Sequence, residues 1–258
     1  DELWIAAGDV AGKIWLLRAE NGAVVRSWQA HPNDVRALRF LPDGAGLVSA
    51  GGEPTIRIWN YVDGDLIRTL RGHGNDVNDI ALDRDGLRLY SASHDGTIRR
   101  WRWQTGQEEA VYSLQAPVQA VAVSQDGRWV AGAGEDASVF VWPMEDPAAP
   151  VILPHTAAVR TLLFTPDGRL VSGDSAGVLH VWSVDDRTET DFQAHGVTSR
   201  INDLTLSGDG RILFSVGDDS AIRAWAIGTA DLLYHACVHL PRTLSATEWR
   251  DYMAPTPK

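Results

Sequence analysis

Residues 73–115 show the alternation on which the chain is built. Val77, Ile80 and Leu82 open an apolar stretch that stops at Asp85-Gly86, and Leu89-Tyr90-Ser91-Ala92-Ser93 follows up to His94-Asp95-Gly96. Thr97-Ile98-Arg99-Arg100-Trp101 comes next, then a turn at Gln104-Thr105-Gly106-Gln107 and a last apolar run from Ala110 to Leu114. Short β-rich segments separated by Gly and Asp at spacings near ten predict four antiparallel strands joined as a meander. No stretch inside this pattern holds a 3.6-residue period, so helices are not expected there.

The pattern recurs. Asp-Gly pairs stand at Asp43-Gly44, Asp85-Gly86, Asp126-Gly127, Asp167-Gly168 and Asp209-Gly210, and tryptophans follow at Trp59, Trp101, Trp142, Trp182 and Trp225. Histidines precede most copies, at His31, His73, His155 and His195. A fixed period of about 41 residues marks a supersecondary unit that cannot cover its own apolar face and stacks on copies of itself. A four-stranded sheet apolar on both faces is covered when such sheets stand radially, each against the next, with only short edges left open. The expected role is recognition by a rigid surface.

His73, Ser91, Asp95 and Trp101 resemble the structural tetrad of WD-repeat β-propellers in order and spacing, over residues 3 to about 238. The resemblance implies an all-β propeller of four-stranded antiparallel blades. In each blade a relay of hydrogen bonds would run from the histidine to the tryptophan. His195, Ser215, Asp219 and Trp225 supply all four residue types a second time. Elsewhere the set departs: Glu53 and Ala176 stand at the aspartate position, and Gly132 stands at the serine position of a copy that has no histidine. None of these tryptophans is followed by the family's usual Asp.

Five full blades are expected, at about 31–72, 73–115, 116–154, 155–194 and 195–239, after a partial sixth at 1–30; together they form one domain, 1–239. In the first copy Leu3–Ala7, Lys13–Leu17 and Val24–Gln29 read as second, third and fourth strands, with Leu17 at the tryptophan position. The expectation is a parent ring completed by earlier residues, seven blades being the resembled family's usual closure; the alternative is a six-bladed ring with one three-stranded blade. A start at Asp1 rather than Met agrees with a chain processed or cut from a longer one. Residues 240–258 read as a tail with a short helix: Ser245-Ala-Thr-Glu248 fits a capping box, and Trp249, Tyr252 and Met253 share one face. Cys237, Leu240, Arg242, Leu244, Glu248, Trp249 and Tyr252 resemble a closing tail found after WD repeats in bacterial multidomain signalling proteins that carry NTPase, protease or kinase modules. That resemblance implies the sensor or docking arm of a larger bacterial protein. A free-standing scaffold bridging protein partners is the alternative.

Composition narrows the classes of partner. The net charge of −11 argues against non-specific binding to nucleic acid or anionic membranes, which needs clustered Lys and Arg. No apolar run is long enough to cross a bilayer as a helix. Cys237 is the only cysteine, so no internal disulfide forms and a reducing, cytoplasmic setting is expected.

Three segments suggest chemistry and are better explained by architecture. Gly173-Asp174-Ser175-Ala176-Gly177 matches hydrolase nucleophile patterns, yet Gly8-Asp9-Val10-Ala11-Gly12 fills the same place in the first copy with valine for serine. His235-x-Cys237-x-His239 puts three metal-ligand types on one strand face, but reads as the lining of a last strand. Asp83-x-Asp85-Gly86 begins like a calcium loop and lacks the remaining ligands. Neither a metal, a cofactor nor a catalytic residue is expected. An enzyme in the central channel would need charged residues there, whereas the inner-strand positions read mostly as Val, Leu, Ile, Ala and Phe.

Binding is expected on the face that carries the loops before the first strand and between the second and third strands of each blade. The positions there are Asp34, Asp76 and Arg200 before the first apolar residue of the inner strand, then Arg36, Asn78, Gln119, Arg160 and Asn202 after it. His94, Glu135 and Asp218 precede the tetrad aspartate position. The set is polar and mixed in sign, with arginines as its natural anchors for a carboxylate or phosphate. The expected partner is a protein or peptide, or another domain of the same parent chain.

Overall fold

Each Asp-Gly turn sends the chain back along itself, and the strands so joined pair in chain order. In the third sheet Val77–Leu82, Arg88–Ser93, Thr97–Arg102 and Gln107–Ser113 form an antiparallel meander. The structure is a computed structural model that describes residues 4–42, 44, 46–114, 116–195 and 199–227. Every described element is a strand.

Six sheets follow one another along the chain. The four middle ones have four strands each; the first (Trp4–Gly8, Lys13–Arg18, Val24–Gln29) and the sixth (Ile201–Leu206, Ile212–Gly217, Ile222–Ala226) each have three among the described residues. The first copy carries the three strands expected of it, and because they form a separate sheet the blades number six rather than five and a fragment. The first copy pairs Trp4 through Gly8 with Arg18 through Ile14, and Lys13 with Gln29, so it is a sheet in its own right. The tail helix expected at 240–258 lies outside the described residues, as does any strand after Ala226.

The sheets stand face to face with their inner strands side by side: Val35–Phe40, Val77–Leu82, Val118–Val123, Val159–Phe164 and Ile201–Leu206. Each apolar cluster joins two consecutive sheets. Val48, Ile56 and Leu70 of the second pack with Ile80, Leu89 and Trp101 of the third, and Ala131 and Val139 of the fourth pack with Leu162, Leu170 and Trp182 of the fifth. Full burial of one such side chain contributes about 1.5–3 kcal/mol, so a sheet gains its stability from its neighbour. The result is a propeller.

Candidate functional site

A recognition face needs a stiff support, and buried side-chain relays supply it. In the third sheet His73 Nδ1 lies 2.9 Å from Asp95 Oδ2 and Nε2 lies 2.7 Å from Ser91 Oγ, while Trp101 Nε1 donates to the same Oγ at 2.9 Å. Donor arithmetic assigns a neutral histidine with its proton on Nδ1. Burial pushes His73 below its ordinary value, and Asp95 opposes this only in part. Burial raises the Asp95 carboxyl, but hydrogen bonds from the Thr97 hydroxyl, the Gly74 N–H and His73 outweigh it and hold the group at about 2. The sixth sheet repeats the relay: His195 reaches Asp219 at 2.9 Å and Ser215 at 2.8 Å, and Trp225 donates to Ser215 at 2.9 Å.

Copies that depart from the tetrad are completed differently, and in the fifth sheet the relay stops short of Trp182, whose buried Nε1 meets no partner among the described residues. Glu53 takes the aspartate's part, with Oε1 2.6 Å from His31 Nδ1, while Ser49 bridges His31 (2.6 Å) and Trp59 (2.8 Å). In the fifth sheet His155 holds Ser172 at 2.7 Å, and Asp174, two residues before Ala176, caps the turn by accepting from Ala176 N at 2.9 Å and Val178 N at 2.8 Å. Asp9 caps the first sheet's turn in the same way, accepting from Ala11 N and Lys13 N at 2.9 Å each. Ser175 is thus the second residue of a tight turn closed by Gly177 at φ 81°, followed by the strand Val178–Ser183 rather than a helix. Gly132 is explained by packing: a Cβ there would collide with Ile98 Cδ1 of the preceding sheet.

On the face above, backbone hydrogen bonds clasp the two loops of a blade together. Gly52 N donates to Asp34 O at 3.0 Å, His94 N to Asp76 O at 3.0 Å, Ser175 N to Ala158 O at 2.8 Å and Asp218 N to Arg200 O at 3.1 Å. Each inner strand then carries one inserted residue. The pairing register shifts between Val35 and Ala37, Val77 and Asp79, Val118 and Ala120, Val159 and Thr161, and Ile201 and Asp203. The skipped residues are Arg36, Asn78, Gln119, Arg160 and Asn202. Such a bulge turns a side chain away from the sheet's alternation and re-aims it. All five line one cavity of about 440 Å³ between the inner strands.

Ten of the eleven candidate side chains fall into two groups joined by hydrogen bonds and other polar contacts of 4.0 Å or less. Arg36 donates to Asp34 and to Asn78 at 2.7 Å each and lies 3.0 Å from Asp76; His94 lies 4.0 Å from Asp76 and 3.1 Å from Gln119, which reaches Glu135 at 3.5 Å. In the sixth blade Asp218 accepts from Asn202 at 2.7 Å and pairs with Arg200 at 3.0 Å. Arg160 belongs to neither group: among the described residues its buried Nε has no hydrogen-bond partner.

The cavity also holds groups that the sequence reading passed over. Arg39, Asp79, Thr161 and Asp203 line it, which corrects the expectation of an apolar inner lining. They sit at the alternate positions of bulged strands, where apolar spacing hides them. Burial raises the Asp79 carboxyl; Arg39 and the N–H groups of Val121 and Ile80 oppose the rise. Asp79 Oδ2 accepts from Val121 N at 3.0 Å, so this carboxyl ties two inner strands together. Among the described residues no group of three or more His, Cys, Asp or Glu is arranged to hold a metal. Asp83 and Asp85 shape a turn: their Oδ1 atoms accept from Arg88 N and Leu87 N at 3.0 Å, and burial, helped by the adjoining Asp85 carboxyl, pushes Asp83 up to about 6. His235, Cys237 and His239 lie outside the described residues.

Comparison with known proteins agrees with this geometry. Five segments, 22–60, 64–102, 108–143, 150–183 and 187–226, match the family described as WD domain, G-beta repeat. Each begins with the outer strand of one sheet and ends on the third strand of the next, so the five repeats lace six sheets together. Mouse apoptotic protease-activating factor 1 is 34% identical over 62 residues, a stretch covering 24% of this chain and 5% of that protein.

Proposed function

This chain belongs to the WD40-repeat family, and from that premise we propose that it is a non-catalytic docking platform that takes a protein or peptide on the face carrying the five bulged residues. Propellers of this family are typically non-catalytic and commonly bind proteins or peptides. The observation that carries the reading is the bulge in every described inner strand, which aims one polar side chain per blade into a single cavity. Fixed loops on a fixed scaffold lower the entropy lost on binding.

We further propose that residues 1–239 act as the sensor or docking arm of a larger bacterial, cytoplasmic signalling protein, ending in the tail 240–258. The resemblance of Cys237 to Tyr252 to the closing tails of such proteins supports this, as does similarity to a short stretch of a protein named as a protease-activating factor. In that arrangement occupancy of the face would hold or release an effector domain.

The charge-swapped pair Arg200→Glu with Asp218→Lys tests the face, because it keeps the ion pair and inverts the exposed pattern. Capture of partners from native lysate should fall with the melting temperature unchanged. Undiminished capture would place the docking surface elsewhere.

A further inference from the structure

Arginines on this face are neutralised with one exception. Arg36 is held by Asp34, Asp76 and Asn78, Arg200 by Asp218, and Arg39 Nη2 lies 3.6 Å from Asp79. Arg160 lines the same 440 Å³ cavity with a buried Nε that meets no acceptor. Arg160 is only partly buried and pairs with no carboxylate among the described residues, so its charge is uncommitted. Its two Nη groups form a planar fork that fits the two oxygens of one carboxylate.

The surroundings choose among anions. Asp79 and Asp203 line the same cavity, so a second negative charge on the ligand would meet two carboxyl groups in a partly enclosed space. A singly charged, planar carboxylate satisfies Arg160 at a smaller penalty than a phosphate dianion. Asn202 and Gln119, the bulged neighbours on either side, are already hydrogen-bonded, so they border the seat and leave the charge to Arg160.

We infer that Arg160 is the anchor of a carboxylate-binding seat in the mouth of the central cavity. The inference rests on the docking reading and names the chemistry it recognises: the acidic side chain or C-terminus of a peptide, or a free carboxylic acid. The cavity volume suits a group of that size.

The test follows the Nε–H resonance of Arg160 in the intact 15N-labelled chain. The probes are sodium acetate, sodium butyrate, inorganic phosphate, and the capped tripeptides Gly-Glu-Gly and Gly-Gln-Gly. Acetate, butyrate and Gly-Glu-Gly should move the resonance while phosphate and Gly-Gln-Gly leave it in place. Tighter binding of Gly-Glu-Gly than of acetate or butyrate identifies a peptide ligand, and the reverse order a free acid. Arg160→Gln should weaken carboxylate binding by about tenfold or more, the loss expected for one charge-assisted pair. Arg160→Lys, which keeps charge and fold but not the fork, should fall between. A resonance that no carboxylate moves, or phosphate binding tighter than acetate, overturns the inference. The two readings fail separately. Capture that survives Arg160→Gln but not the Arg200/Asp218 swap removes the carboxylate seat and leaves the docking face standing. Carboxylate binding with capture untouched by the swap does the opposite.

Discussion

Glu53 Oε1 sits 2.6 Å from Nδ1 of the fully buried His31 ring, at the position where the third and sixth blades use an aspartate. The extra methylene spans the gap, and Oε2 is used as well, accepting from Thr55 at 2.7 Å and Arg57 at 3.2 Å. Glu53→Ala leaves His31 Nδ1 without its acceptor, leaves Arg57 only the Ala30 carbonyl, and should cost about 1–3 kcal/mol, the penalty for orphaned buried polar groups. Glu53→Asp restores the commoner residue yet shortens the reach to His31, so it should destabilise rather than stabilise. Urea denaturation of both variants checks this; an aspartate variant more stable than the parent would contradict the geometry.

Trp101 and Trp225 hold equivalent places in their relays but not equivalent surroundings. Trp101 is 1% exposed between the second and third sheets, whereas Trp225 is only partly buried against the cluster of the sixth. Trp101→Ala should cost about 3–5 kcal/mol, as large aromatic truncations in cores do. Trp225→Ala should cost clearly less, because fewer contacts are lost. Equal losses in chemical denaturation would mean that the relay, not the burial, sets the cost.

The repeat was legible because its markers are local. Asp-Gly turns and a tryptophan in each third strand give the strands, and the third sheet falls where its alternation places it. The bulges were also written in the sequence. Val77 and Ile80 stand three apart, and so do Val118 and Val121, although both members of each pair are buried; in a strand of period two that requires one inserted residue. Asp79 and Asp203 were missed because their role depends on which way a bulged strand turns, a matter of tertiary geometry. Glu53 read as a gap in the relay because residue identity at one position does not show that a longer side chain can take up the bond; at Ala176 the gap is real, and His155 Nδ1 turns to the Leu153 carbonyl at 3.0 Å.

Buried histidines make acidification costly to this fold before its ordinary carboxylates titrate. In His31, His73 and His155 burial is the chief cause of values below the ordinary 6.5, so the folded chain disfavours their cations. As pH drops below 6.5 the unfolded chain takes up protons that the folded chain refuses, and stability declines until the folded values are reached. His180 works the other way. Burial lowers it, but hydrogen bonds to Asp174 and Glu189 outweigh burial and raise it, so its contribution is complete below 6.5 and is lost as pH rises through its folded value. Asp95, held at about 2, adds a later loss as pH falls from 3.8 toward 2. Asp83, pushed up to about 6, and Asp79, also raised, gain protons in the folded chain as the pH falls and so act with His180. The urea midpoint of an Asp79→Asn/Asp83→Asn variant, which leaves three depressed histidines against one raised, should drop between about pH 7.5 and about pH 5.5. A midpoint that is flat or rises on acidification would show that the raised histidine dominates.

The fifth blade separates turn capping from charge. Asp174 uses Oδ1 to cap its turn and places Oδ2 3.2 Å from His180 Nε2, while His180 Nδ1 lies 2.6 Å from Glu189 Oε1. Asp174→Ala removes the caps and the partner of His180 together and should cost about 1–3 kcal/mol even at about pH 7.5, where His180 can be neutral. Asp174→Asn keeps an oxygen for Ala176 N and Val178 N and offers an N–H to Nε2 of the neutral ring. Its cost should therefore be small at about pH 7.5, where His180 can be neutral, and should grow toward about pH 5.5, where a cation has lost its buried carboxylate. The difference in urea midpoint between this variant and the parent, measured at both ends of that range, reads the effect directly. An equal penalty at both ends would mean that the Asp174 carboxylate serves only to hold the turn, and that the charge on His180 is balanced by Glu189 alone.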